Sequence, residues 1–163
     1  MAEEHGWRER LERLLPLYGH RNWVVVSDAA YPAQVGAMEV LATGKEHLMV
    51  LRDVVSALRR ARHVRPIVWL DAELDALTET MAPGVEATRD GLAAVLRELS
   101  PSPVLHAELI ERLGAAAQSF NVLVLKTTCT VPYSSVFIEL DCGYWSAEQE
   151  AELRRAMAAG DVA

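Results

Sequence analysis

Trp23-Val24-Val25-Val26-Ser27-Asp28 is the stretch that decides how this chain folds. Three consecutive valines behind a tryptophan make a short β-branched run bounded by polar residues. This is the pattern of a strand buried on both faces, not of one that turns alternate side chains to water. Such strands belong to sheets covered by helices on both sides. Asp28 marks the carboxyl end of the run, the end at which open parallel sheets bind ligands.

Working outward, Trp7, Leu11, Leu14, Leu15 and Tyr18 recur at helical spacing across residues 6–18, and Gly19 stands where that helix would stop. Residues 29–36 read as a loop, because Pro32 disfavours helix before it and Gly36 permits a turn. Met38 to Leu41 gives a second strand, Thr43-Gly44 a turn, and Leu48 to Leu58 a helix. Pro66 to Leu70 is a further strand, Leu77 to Met81 a short helical or loop segment, and 85–99 a helix stopped by Ser100-Pro101-Ser102-Pro103. Val104-Leu105 opens an edge strand, His106 to Gln118 is helical, and Asn121–Leu125 and Val136–Leu140 are strands. Ser146 with Gln149 forms a capping box at the head of a last helix over about 146–159. Strands alternating with helices, without repeat or linker, predict one α/β domain over 1–163 with a mainly parallel central sheet flanked by helices.

The 163 residues suffice for one hydrophobic core without covalent staples. Hydrophobic residues make up 51% and charged residues 24%, and no apolar run approaches the roughly 20 residues of a membrane span. The first ten residues are charged throughout and hold no signal-peptide core, which makes the cytoplasm the expected compartment. A formal charge of -7 repels phosphate backbones, and the basic cluster Arg59, Arg60, Arg62, His63, Arg65 follows a helix whose dipole it offsets, so no nucleic-acid partner is expected. Cys129 and Cys142 lack the spacing of a zinc site or redox pair and read as buried or partly buried free thiols. Phosphate loops, dinucleotide fingerprints, metal-spaced histidines and serine elbows are all missing, so neither nucleotide nor metal is implied.

Candidate chemistry rests on polar residues that interrupt apolar elements. His20 follows the helix-ending Gly19 and precedes the first strand; histidine moves protons near neutral pH, but a cation capping a helix end accounts for the position equally well. Asp28 is either a ligand for hydroxyl groups or an aspartate in a turn, and the turn is the simpler reading. Tyr133, Ser134 and Ser135 stand between two strands, where they either face a pocket or are ordinary loop residues. His106 opens a helix, a position that demands no special role.

Taken together, Gly19-His20-Arg21-Asn22, Val24-Val25-Val26-Ser27-Asp28-Ala29 and Tyr31-Pro32-Ala33 resemble the opening of the D-ribose pyranase / L-fucose mutarotase family, and Tyr133-Ser134-Ser135-Val136 resembles its later Tyr-Ala/Gly-Asn-Ile signature. The resemblance spans residues 10–143 and leaves the helix at about 146–159 as an addition. It implies a cofactor-free isomerase that interconverts anomers, or pyranose and furanose forms, of a free fucose-like or ribose-like aldose. His20 would be the catalytic proton donor with Tyr133 as a secondary acid. Asp28, His106, Tyr133, Ser134 and Ser135 would bind the sugar. Three positions depart from the family: Ser135 replaces its Asn, Asn22 an Asp frequent after Gly-His-x, and Ala30 a histidine of fucose-type members. A sugar-binding or regulatory protein that has lost turnover is the alternative those departures suggest, and a structural partner acting through the last helix is a third.

Eight residue steps separate His20 from Asp28, up to about 26 Å if extended. One ligand therefore meets both only through a bend at Arg21-Asn22 or through a second subunit. The resemblance implies sites at subunit interfaces of a ring-like homo-oligomer.

Overall fold

The valine run forms β1 (Trp23–Ser27), and all five of its residues are buried. A computed structural model describes residues 2–33 and 36–160; Gln34 and Val35 of the expected 29–36 loop lie outside the described residues, as do Met1 and residues 161–163 of the expected domain. In chain order the other elements are α1 (Ala2–Leu14), β2 (Met38–Ala42), α2 (His47–Arg60), β3 (Val64–Asp71), α3 (Val85–Leu96), β4 (Ser102–Val104), α4 (His106–Ala117), β5 (Val122–Lys126), β6 (Val136–Cys142) and α5 (Ala147–Ala158).

The strands make one sheet in the order β2-β5-β1-β6-β3-β4. β1 runs parallel to β5 with Val25 opposite Val124, β5 parallel to β2, and β3 parallel to β4. Only β6 runs against its neighbours, with Phe137 opposite both Val25 and Trp69. The sheet is mixed but mainly parallel, as the alternation of strands with helices suggested. Its period-2 geometry divides β1 between two cores. Val24 and Val26 pack with Leu123, Leu125 and Ile138 beneath α1, α2 and α3, while Trp23 and Val25 pack with Phe137 beneath Leu109 and Leu113 of α4. Truncating a side chain such as Leu51, fully enclosed in the first core, to alanine would cost about 2–5 kcal/mol.

Local chemistry explains where the elements begin and end. The first helix stops at Leu14 and not at Tyr18, because Pro16 has no N–H to continue the ladder; Leu15 and Tyr18 stay buried in the following turns. The segment expected as helix over 85–99 is α-helical to Leu96 and tightens into a 3-10 turn over Arg97–Leu99. Leu77–Met81 is loop, and the 3-10 turn lies just upstream at Ala72–Ala76. β4 begins two residues before Val104, and Pro103 is tolerated there because β4 is an edge strand. Gly91 lies where α3 meets α2, and a Cβ there would stand 2.3 Å from a methyl of Leu48, which would have to shift to admit it. α5 carries the expected capping box, with Ser146 Oγ accepting from Gln149 N and the Gln149 side chain accepting from Ser146 N, yet it buries none of its residues. Cys129 and Cys142 are free and partly buried. Among the described residues no helix is long and apolar enough to cross a membrane.

Candidate active site

The strand directions bring three chain segments to one end of the sheet. Asp28 follows the carboxyl end of β1, Asp71 ends β3, and Ser135 immediately precedes the amino end of the antiparallel β6. α4 starts beside them with His106. Between these segments lies a cleft of about 480 Å³, whose lining combines the polar Asp28, Asp71, His106 and Ser135 with Ala30, Tyr31, Pro32, Ile110, Pro132 and Tyr133. A few convergent polar groups beside an apolar wall at the carboxyl ends of parallel strands is the usual form of a small-molecule site.

His106 is held at both its ring and its backbone. Its Nδ1 lies 2.9 Å from Asp71 Oδ1, and its backbone N–H donates to both oxygens of Glu73 at 3.0 Å. Leu105, in the N-cap position of α4, offers no side-chain cap, so Glu73 supplies the acceptor. The Tyr133 ring stands edge-on to the imidazole at 5.5 Å between centroids and 83°. Asp71 is almost fully enclosed, with its second oxygen, Oδ2, buried and without a partner. Burial pushes its carboxyl above the ordinary aspartate range; the His106 hydrogen bond and charge offset part of this, and the nearby Glu73 and Asp28 add to it.

Tyr133 and the two serines are held by strain and hydrogen bonds together. Tyr133 has φ 58°, a left-handed conformation unfavourable for a bulky residue, and leaves its ring partly exposed in the cleft. Ser135 Oγ accepts from the Asp28 backbone N–H at 3.2 Å, which keeps its own O–H available to donate. Ser134 departs from its expected role: it is fully buried and its hydroxyl donates to Val131 O at 2.6 Å, so it is not a cleft residue.

Of the two routes by which His20 and Asp28 could meet one ligand, the bend within one chain does not bring them together. Arg21 does bend the chain, with φ 78°, and its N–H donates to Leu140 O. The bend carries His20 away from Asp28, to Asp141 near the far end of β6, where Nδ1 lies 2.9 Å from Asp141 Oδ1. Burial pushes the Asp141 carboxyl up, but Arg65, the Cys142 N–H and His20 together hold it below the usual range. His20 lines a separate depression with Asp141, Cys142, Trp145 and Glu150. The five residues of β1, at about 3.3 Å each, separate the two places by roughly 16 Å.

One residue of the cleft, Asp71, and one buried histidine behind its loops, His47, were not singled out in the sequence. Asp71 carries the same mark as Asp28, an acid at the end of an apolar strand, and could have been found by it. His47, at the start of α2, could not: it is buried, and only the tertiary fold brings its Nδ1 within 3.0 Å of Thr127 Oγ1 and its Nε2 within 2.7 Å of the Ser134 carbonyl oxygen.

The fold is that of an α/β protein with a cleft at the carboxyl edge of a mainly parallel six-stranded sheet. Its fold is that of solved pyranase- and mutarotase-type structures. RbsD from Bacillus subtilis, complexed with D-ribose, superposes with a TM-score of 0.55 at 19% identity over 81% of this chain and 91% of the other. FucU from Bifidobacterium longum gives 0.54 at 11% identity over 82% and 94%. Fucose mutarotase from Streptococcus pneumoniae, in complex with L-fucose, gives 0.51 at 12% identity over 79% and 89%. No protein-family model matches the sequence, and no curated protein matches it significantly.

Proposed function

We propose that the protein is a cofactor-free sugar isomerase that accelerates exchange between the anomers, or the pyranose and furanose forms, of a free aldose of the fucose or ribose type. The observation that carries this reading is the cleft itself. A buried carboxylate holds a histidine beside Asp28, Ser135 and Tyr133, in a fold shared with structures that hold D-ribose and L-fucose. Ring opening needs a base to take the anomeric hydroxyl proton while an acid protonates the ring oxygen. The C1–O5 bond breaks as C1=O forms, and closure on the other face returns both protons. Positioned acid-base groups give such a step typically about two to four powers of ten, enough for a reaction that already proceeds in water.

Asp28, His106, Tyr133 and Ser135 hold the sugar in this account. His20 cannot reach the same ligand within one chain, so it enters the cleft from a second copy, and the working form is a homo-oligomer. Four Trp and a mean hydropathy of +0.08, despite the charge, favour such contacts. The protein acts in the cytoplasm.

One observation favours binding without turnover: Ser135, in place of the family's Asn, already spends an acceptor site on the Asp28 backbone. Exchange NMR and ligand-observed saturation transfer over ribose, fucose, galactose and related aldoses separate the readings. Exchange above the buffer rate for at least one sugar supports the isomerase, binding without exchange supports the alternative, and neither result for any sugar rejects both.

A further inference from the structure

We propose that His106 and Asp71 form a catalytic pair, with His106 Nε2 as the general base for the anomeric hydroxyl and Asp71 as the residue that positions it. The proposal rests on the sugar-exchange reading and assigns the proton-accepting half of its chemistry, leaving the ring-oxygen proton to the second acid of the site.

The geometry points to one tautomer. With Asp71 ionised its carboxylate only accepts hydrogen bonds, so Oδ1 at 2.9 Å places the proton on His106 Nδ1 and leaves the lone pair on Nε2. Nε2 has no protein partner among the described residues, and the side chain lines the cleft with 43% of its surface exposed. Glu73 holds the His106 backbone and Tyr133 bears on the ring, so the imidazole is oriented before any ligand arrives.

The surroundings fit a histidine that gains charge during turnover. His106 is the first residue of α4, where the positive end of the helix dipole opposes an imidazolium. Asp71, Glu73 and Asp28 supply the opposing negative charge. Asp71 makes its one side-chain contact, through Oδ1, to His106 Nδ1 at 2.9 Å, so its carboxylate lies directly behind the imidazole. In the reaction Nε2 takes the hydroxyl proton as C1=O forms and C1–O5 breaks, Asp71 stabilises the imidazolium, and the proton returns on ring closure with no net change.

The test uses the full chain labelled with nitrogen-15 in histidine. In the wild type near pH 8, couplings to the ring nitrogens should show the His106 proton on Nδ1. Asp71→Asn, whose amide can donate, should move it to Nε2, lower sugar exchange by at least about tenfold, and change affinity for the same sugar by no more than roughly threefold. A wild-type proton on Nε2, or a folded Asp71→Asn protein with undiminished exchange, overturns the pair. Should the asparagine variant not fold, Asp71→Ser takes its place and the wild-type tautomer already decides. If no sugar is exchanged by the wild type, the isomerase reading fails, and the tautomer alone supports or overturns the positioning by Asp71.

Discussion

His20 and Asp28 stand at opposite ends of β1, the first bound to Asp141 and the second joined through its backbone to Ser135. A sugar held at Asp28 is therefore out of reach of the His20 of the same chain. Mixing His20→Ala chains with Asp28→Asn chains should regenerate some wild-type sites and restore part of the exchange activity. If both residues serve from separate copies, activity also falls on dilution into the dissociation range. An active monomer by sedimentation, or an oligomer without complementation, would exclude His20 from a shared site.

Changing Tyr133 should separate stability from activity. At φ 58° the residue holds a conformation that costs a side-chain-bearing residue roughly 1–2 kcal/mol and a glycine almost nothing. Tyr133→Gly should leave the urea midpoint no lower than in the wild type while reducing exchange, because the ring that bears on His106 is gone. Tyr133→Phe should keep the ring contact and reduce exchange less than His106→Ala does. A glycine variant with full exchange would show that the ring has no part in the site.

Burial holds the His47 imidazole below the usual histidine range, although the Ser134 carbonyl, Glu46 and Asp28 all pull it upward. The sign follows from linkage: below about pH 6.5 the unfolded chain takes up a proton that the folded chain refuses, so stability falls as pH falls through that region. His47→Gln removes this dependence. The stability difference between wild type and variant, read by urea unfolding, should be largest near pH 8, about 1–3 kcal/mol for the lost buried hydrogen bonds, and should shrink by pH 5.5. A constant difference across that range would mean that His47 titrates as it does in the unfolded chain.

Much of this fold was legible because it depends on patterns within a few residues. The valines of β1, the Val122–Lys126 run and the three- and four-residue spacing of α2 each allow only one burial geometry. The end of α1 was misplaced because Leu15 and Tyr18 keep the helical spacing of buried residues after Pro16 has broken the ladder. In the cleft, Asp28, His106, Tyr133 and Ser135 were within reach of sequence reasoning as polar interruptions of apolar elements. The choice between Ser134 and Ser135 was not, since it depends on partners distant in sequence or in the loop, Asp28 N for Ser135 and Val131 O for Ser134. His47 and the Asp71–His106 contact join residues 87 and 35 positions apart, and no local pattern encodes such pairings.

The central claim is that this cleft opens and recloses an aldose ring, and exchange NMR tests it most directly. Catalytic protein is added to equilibrated L-fucose and, separately, D-ribose; one anomer is saturated and the transfer to the other ring forms is followed, for wild type and His106→Ala. Transfer should rise well above the buffer rate with the wild type for at least one of the two sugars, unaffected by metal chelators, and fall by roughly two powers of ten with His106→Ala. Transfer at the buffer rate with folded wild-type protein for both sugars, or equal acceleration by His106→Ala, would contradict the account.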